Sequence, residues 1–335
     1  MGVLLRSPLE NHKLKLKNRL VMPPMATAKA DGRGLVTPSL LQYYSEKSQG
    51  GYLGLILKEH AYIAPRGKAS FNQLSAATDE TIDGLANLAQ IIQQNGTKAV
   101  LQINHAGSAA MKEVTEEDVV GPSAVCNPSK ANSVVPLELT PADISKIVTE
   151  FAQAAWRAQA AGFDGVEIHS CHGYLLDQFL SPLTNKRTDA YGGNISNRIR
   201  IHLEVIKAIR LAVGNQFPLL LRLGATDHMD GGLSVEDSVA AAQAFEKAGV
   251  DLLDISGGMC RYTIPGANLT ECFSQLSKTI KEAVSIPVIV TGGIHSGMEA
   301  ETLLRDNRAD LVGVGRAILN DSHWAKEAMN AACID

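Results

Sequence analysis

The chain has 335 residues, 45% hydrophobic and 20% charged, and its 31 basic and 35 acidic residues leave a formal net charge of -4. That balance lacks the basic excess on which phosphate-backbone binding depends, and apolar runs such as residues 53–57 fall far short of the ~18 residues of a membrane span; neither a nucleic-acid partner nor a membrane is expected. Charges scattered from Arg6 to Lys17 interrupt any secretory apolar core, and the five spaced cysteines, Cys126, Cys171, Cys260, Cys272 and Cys333, match neither a zinc ribbon nor an iron–sulfur motif, so a cytoplasmic protein with reduced thiols is expected.

Along the chain, short apolar or β-branched runs recur at residues 19–26, 53–60, 98–105, 165–170, 218–225, 251–258, 287–293 and 311–317. Most are followed by a stretch of helical period and then a Gly, Pro or Asn break, with room between successive runs for a crossover helix. Thr140 before Pro141 reads as a helix start, Ser234 with Asp237 as a capping box, and Gly162 and Gly249 as helix ends. Residues 219–221 and 288–290 are apolar at successive positions, which suits a parallel sheet covered on both faces. Eight such units close without a free edge as a single-domain (β/α)8 barrel spanning residues 1–335. Residues 106–139, with Pro122, Pro128 and Pro136 and no clear period, are expected to form a long loop over its mouth.

In such a barrel the chemistry sits where strands end. The third run carries Gln102, the fourth ends on His169, His172 and Tyr174, and the fifth holds Arg222 among leucines. A buried arginine needs an anion, either a neighbouring carboxylate such as Glu167 or a ligand, and the pattern leaves both open. His169 and His172 are close enough to aim two N–H donors at one oxygen if the chain turns helical there; mutual pairing under a loop is the alternative. A zinc site would need a third ligand that the spacing does not supply, so no metal is expected. Gly292 and Gly293 after the seventh run, and Gly315 with Arg316 after the eighth, occupy the positions where barrels bind a phosphate through backbone N–H groups leading into helices.

Residues 162–169 (GFDGVEIH), 172–182 (HGYLLDQFLSP) and 185–193 (NKRTDAYGG), with 18–25 (NRLVMPPM), Gln102, 105–107 (HAG) and 315–316, resemble the old yellow enzyme family of FMN-dependent oxidoreductases over nearly the whole chain. The resemblance implies FMN as the phosphate-bearing ligand and NAD(P)H as co-substrate. Gly292, Gly293, Gly315 and Arg316 would hold the phosphate, Gln102 the pyrimidine edge, Arg222 the negative charge of the reduced ring, and Pro24 and Met25 would line the ring. It further implies reduction of the C=C bond of α,β-unsaturated carbonyl or nitro compounds: His169 and His172 bind the substrate oxygen, hydride moves from flavin N5 to the β carbon, and Tyr174 protonates the α carbon.

Two positions depart from the family pattern. Ala26 stands where relatives place a Thr or Cys near the flavin, leaving Thr27 as a substitute, and His60 stands where a small residue is usual, narrowing the flavin pocket or adding a donor to it. The cysteine cluster of members with an iron–sulfur centre does not occur in these residues. Two rival readings remain at this level. One is a phosphate-binding lyase or isomerase with Lys58 as Schiff-base lysine or Glu167 as base; the other is a flavin-binding protein without turnover. A small-molecule substrate is expected, and a homo-oligomer stays open.

Overall fold

The computed structural model describes residues 3–10 and 13–331. Eight parallel strands close into a barrel in strict chain order: β1 (Leu20–Met22), β2 (Leu55–Tyr62), β3 (Lys98–Asn104), β4 (Gly165–Ser170), β5 (Leu219–Gly224), β6 (Leu252–Ser256), β7 (Val288–Thr291) and β8 (Leu311–Gly313). Every expected run coincides with one of them, although β2 continues two residues past the expected end at 60. The first and last runs are trimmed to three residues, because Pro23 and Pro24 bring no N–H to a ladder and Gly315 is already the cap of a short helix, Arg316–Asn320.

The crossover helices are α1 (Pro38–Ser48), α2 (Ile82–Gln93), α3 (Pro141–Ala160), α4 (Arg200–Val213), α5 (Val235–Ala248), α6 (Leu269–Ala283) and α7 (Gly297–Arg305), with α8 (Trp324–Ala331) after β8. Thr140 and Asp143 form a complete capping box at the start of α3. At α5 only half of the expected box forms: Ser234 accepts from the Asp237 N–H, while the Asp237 carboxylate pairs with Arg198 instead. Gly162 and Gly249 adopt left-handed conformations, φ 80° and 110°, just past α3 and α5, as expected of helix ends.

The barrel interior follows the period-two rule from bottom to top. Val21, Leu55, Leu57, Val100, Leu220, Leu252, Ile289 and Leu311 fill the lower layers, with Leu9, Leu14 and Leu16 of the N-terminal segment closing the floor. Two residues further along β3, β4, β5 and β6, the same interior face carries Gln102, Glu167, Arg222 and Asp254. β2 departs from this alternation. Lys58 pairs with Leu101 and Ala61 with Ile103, so three steps of β2 (58 to 61) match two of β3 (101 to 103), a one-residue bulge that re-aims His60 toward the mouth.

The segment 106–139 is only partly loop. It contains a 3-10 turn (Gly107–Ala109), a four-residue helix (Lys112–Thr115) and a parallel two-stranded ribbon pairing Val120–Gly121 with Leu137–Glu138. These pieces are too short for any periodicity to announce them. Cys126, Cys171, Cys260 and Cys272 are free thiols; Cys333 lies outside the described residues. No described helix is long and apolar enough to cross a membrane.

Candidate active site

A cavity of about 420 Å³ opens at the C-terminal face of the barrel. The flavin- and substrate-site residues that the family resemblance and its two departures point to all line it: Pro24, Met25, Ala26, His60, Gln102, His169, His172, Tyr174, Arg222, Gly292, Gly293, Gly315 and Arg316. The structure adds Pro23, Arg261, Tyr262, Thr291, Ile294, His295 and Gly313. Four of these, Thr291, Ile294, His295 and Gly313, flank the glycine motifs in sequence; Arg261 and Tyr262 sit on the loop after β6, where one exposed aromatic beside a basic residue was the available signal.

The histidine pair is built by a turn rather than by a helix. His169 belongs to β4, and the chain then reverses through left-handed His172 (φ 60°) and Gly173 (φ 73°), bringing the two imidazole centroids to 5.3 Å. The expected helical turn does not form, because Gly173 N–H donates to the buried Asp177 carboxylate at 2.7 Å and so fixes the tight reversal before the short helix Leu175–Leu180.

One nitrogen of each ring is already occupied. His169 Nδ1 lies 3.5 Å from Cys171 Sγ, and His172 Nε2 lies 2.7 Å from Ser256 Oγ. Burial pushes the Cys171 thiol up, so it remains an S–H donor, and the Ser256 hydroxyl can donate likewise. Both imidazoles are then left as neutral rings with an N–H on the remaining nitrogen. Burial, reinforced by neighbouring positive groups, holds both pKa values well below the ordinary range, in agreement with that state. Tyr174 packs edge-on to His169 at 4.8 Å, and burial raises its phenol above the usual value, which keeps the proton on.

His60 joins this group, with ring centroids 5.9 Å from His169 and 5.5 Å from Tyr174. Amide nitrogens of Gln73 (3.0 Å) and Asn104 (3.2 Å) both approach its Nδ1, and an amide nitrogen can only donate. Nδ1 is therefore an acceptor and Nε2 carries the hydrogen. Burial lowers its pKa to about 4, so His60 is a third neutral N–H donor at the mouth.

Beneath the mouth lies a buried polar layer. Arg222 Nε approaches Asp254 Oδ2 at 3.0 Å, its cross-strand partner, rather than Glu167. The two atoms are in ionic contact but misaligned for a hydrogen bond, and both remain without one. Burial and the adjacent Asp254 hold Glu167 well above the carboxylate range; it is the neutral member of the cluster and accepts from Gln102 Nε2 at 2.7 Å. The Gln102 carbonyl oxygen meets no donor among the described residues.

At the opposite end, no acceptor among the described residues meets the backbone N–H groups of Gly292, Gly293 or Gly315. Gly292 is required by the fold itself, since at φ 140° an added Cβ would stand 2.4 Å from the Phe273 ring. The helix after this turn is not the expected open one: Ser296 and Glu299 cap α7 with their own side chains. The open amides and Arg316, which has no carboxylate partner among the described residues, make up the anion-binding end.

Other expectations change. Thr27 does not stand in for Ala26, because both its N–H and its hydroxyl are held by Glu59 at 2.7 Å. Lys58 lies on the outer face of β2, beside Tyr44 of α1, and neither it nor Glu167 reaches the cavity wall, which leaves the lyase reading without its lysine or base. The zinc reading gains a third candidate ligand, Cys171, whose sulfur lies with the imidazole nitrogens of His169 and His172 within 4.8 Å of one another.

A closed barrel whose mouth joins open amides and an arginine at one end to imidazoles and a phenol at the other is suited to a ligand with a phosphate at one end and a ring at the other. The model of the NADH:flavin oxidoreductase / NADH oxidase family matches residues 5–332, and the chain belongs to that family, as its resemblance to old yellow enzymes implied. It is 40% identical over 318 residues to a Bacillus licheniformis NADPH dehydrogenase, covering 93% of this chain and 90% of the relative. It is 39% identical over 322 residues to a Thermoanaerobacter brockii NADH oxidase, covering 94% of this chain but 49% of the relative; against such relatives the chain spans about half their length. Morphinone reductase in complex with tetrahydroNAD superposes with a TM-score of 0.83 at 26% identity, covering 99% of this chain and 92% of that one. Membership in the family brings FMN as cofactor, and the open glycine amides, the Gln102 carbonyl and the Arg222 charge fit its phosphate, pyrimidine edge and ring.

Proposed function

We propose that the chain is an FMN-dependent NAD(P)H oxidoreductase that reduces the C=C bond of activated alkenes, α,β-unsaturated carbonyl or nitro compounds. One observation carries this reading: two imidazoles, which burial keeps neutral, and one phenol, which burial keeps protonated, converge on a single cavity. Gly292, Gly293, Gly315 and Arg316 would hold the FMN phosphate, Gln102 and Arg222 the pyrimidine side, and Pro24, Met25, Ala26 and His60 would wall the ring. Bound there, FMN supplies the two-electron chemistry that takes hydride from NAD(P)H and passes it on.

The protein's own residues do the rest. His169 and His172 donate to the substrate carbonyl or nitro oxygen and stabilise the negative charge that builds on it as the β carbon accepts hydride. Their neutrality matters, since a charged imidazolium would cost free energy in this buried site. Tyr174 then delivers its proton to the α carbon, a step suited to a phenol held protonated by burial. The names of the NADH oxidase and NADPH dehydrogenase relatives support a nicotinamide co-substrate.

The test is a colour cycle. Purified protein should be yellow, bleach under anaerobic NAD(P)H and recolour on adding an alkene such as 2-cyclohexenone. Bleaching without recolouring would leave an NAD(P)H oxidase or dehydrogenase with another acceptor; a colourless protein that rejects FMN would remove the flavin reading. Metal analysis of the same sample addresses the His169–Cys171–His172 alternative.

A further inference from the structure

The loop that follows β6 places a cation at the cavity mouth with no carboxylate among the described residues to neutralise it. Arg261 sits at φ 60°, a conformation an L-residue adopts at a cost, fixed by its N–H donating to Gly258 O at 2.8 Å. Gly257 packs so closely that an added Cβ would stand 2.0 Å from Arg261 O. The guanidinium stacks over Tyr262 at 5.4 Å, and the Tyr262 ring meets His172 edge-on at 5.7 Å. Its Nε is buried without a hydrogen-bond partner, and no carboxylate among the described residues lies within ion-pair distance of it.

This differs from Arg222, which lies beneath the mouth, and from Arg316, which stands with the open amides at the anion-binding end. Arg222 is neutralised by Asp254, whereas Arg261 has an aromatic support on one face and an open cavity on the other. An unpaired guanidinium held in a fixed pose beside hydrogen-bond donors is the arrangement that selects an anion, and its planar fork suits a carboxylate or a phosphate.

Building on the flavin reading above, we infer that Arg261 is a specificity residue that recognises an anionic group of the ligand occupying the mouth. Two sources share that chemistry: a carboxylate on the alkene itself, and a phosphate of the nicotinamide dinucleotide. In either case a neutral ligand of the same shape forgoes the contact.

The experiment compares the FMN-loaded wild type with Arg261→Gln and Arg261→Lys. Affinities for 4-hydroxybenzoate and for its neutral counterpart 4-hydroxybenzamide are read from the perturbation of the flavin spectrum, and saturation constants for NADPH and NADH from anaerobic flavin reduction. Loss of a charge-assisted contact should weaken the anionic partner about ten- to a hundredfold in Arg261→Gln, with partial rescue in Arg261→Lys. A loss confined to 4-hydroxybenzoate assigns the contact to a substrate carboxylate; a loss confined to the dinucleotides assigns it to their phosphates. Equal weakening of the benzoate and the benzamide, or no change in any affinity, overturns the proposal. A spectrum that still responds to 4-hydroxybenzamide shows the flavin site intact, which separates this failure from failure of the flavin reading.

Discussion

The two ends of the barrel interior are built from the same strands by opposite rules. At the bottom, Leu57, Val100, Leu220, Leu252 and their neighbours are apolar and close-packed, each full leucine burial being worth about 1.5–3 kcal/mol. One period higher, Gln102, Glu167, Arg222 and Asp254 are equally buried, yet Glu167 Oε1, Arg222 Nε and Asp254 Oδ2 lack hydrogen-bond partners. A chain selected only for stability would not keep a charged layer where leucine fits two residues below. The lower end holds the barrel together, and the upper end gives up some of that stability to present polar groups to a ligand.

The largest expected separation is kinetic and belongs to the upper end. Tyr174→Phe should slow alkene reduction by about 10²- to 10⁴-fold, the usual contribution of a general acid, and leave flavin reduction by NAD(P)H nearly untouched. Stopped-flow measurement of the two half-reactions decides: equal slowing of both would make Tyr174 a packing residue. The next contrast sets one end against the other. Leu220→Ala removes a fully buried side chain from the lower layers and should cost about 2–5 kcal/mol in urea unfolding, with FMN affinity retained in the folded protein. Arg316→Ala, at an exposed side chain, should do the reverse, with stability of the FMN-free protein within about 0.5 kcal/mol and FMN binding weakened roughly ten- to a hundredfold. If both variants lose stability alike, the division of labour between the ends is wrong.

The smallest effect is a pH slope. His60 is depressed to about 4, so between that value and the ordinary histidine pKa near 6.5 the unfolded chain binds a proton that the folded protein does not. Stability from this group is present above about 6.5 and is lost as pH falls toward 4, at up to about 1.4 kcal/mol per pH unit. Urea melts of His60→Asn over pH 4.5–6.5 should show a shallower acid loss than wild type. An unchanged slope would mean that His60 is charged in the folded state.

Much of this architecture is legible in the residues. Eight apolar runs are eight barrel strands, because fully buried parallel strands need apolar residues on both faces. The glycine pairs after β7 and β8, Gln102, Arg222 and the His169–Tyr174 segment all reach one cavity, because strand ends converge there whatever the loops do. What could not be read depended on register. The Arg222–Asp254 pairing requires knowing which residue of β6 lies opposite β5, and the aim of His60 depends on a single bulge in β2 that shifts the parity of everything beyond it. Arg261 lies on a loop with no periodic signal, and the ribbon of Val120–Gly121 with Leu137–Glu138 pairs over two residues only.

The central claim is that His169 and His172 act together as oxygen-binding donors above a bound flavin, and a phenol titration tests it most directly. A para-substituted phenol such as 4-hydroxybenzaldehyde, held as its phenolate against oxidised FMN, gives a long-wavelength charge-transfer band. Wild-type protein should develop that band on titration, and the His169→Ala/His172→Ala double variant, still yellow, should not. A band of equal strength and affinity in the double variant would contradict the account.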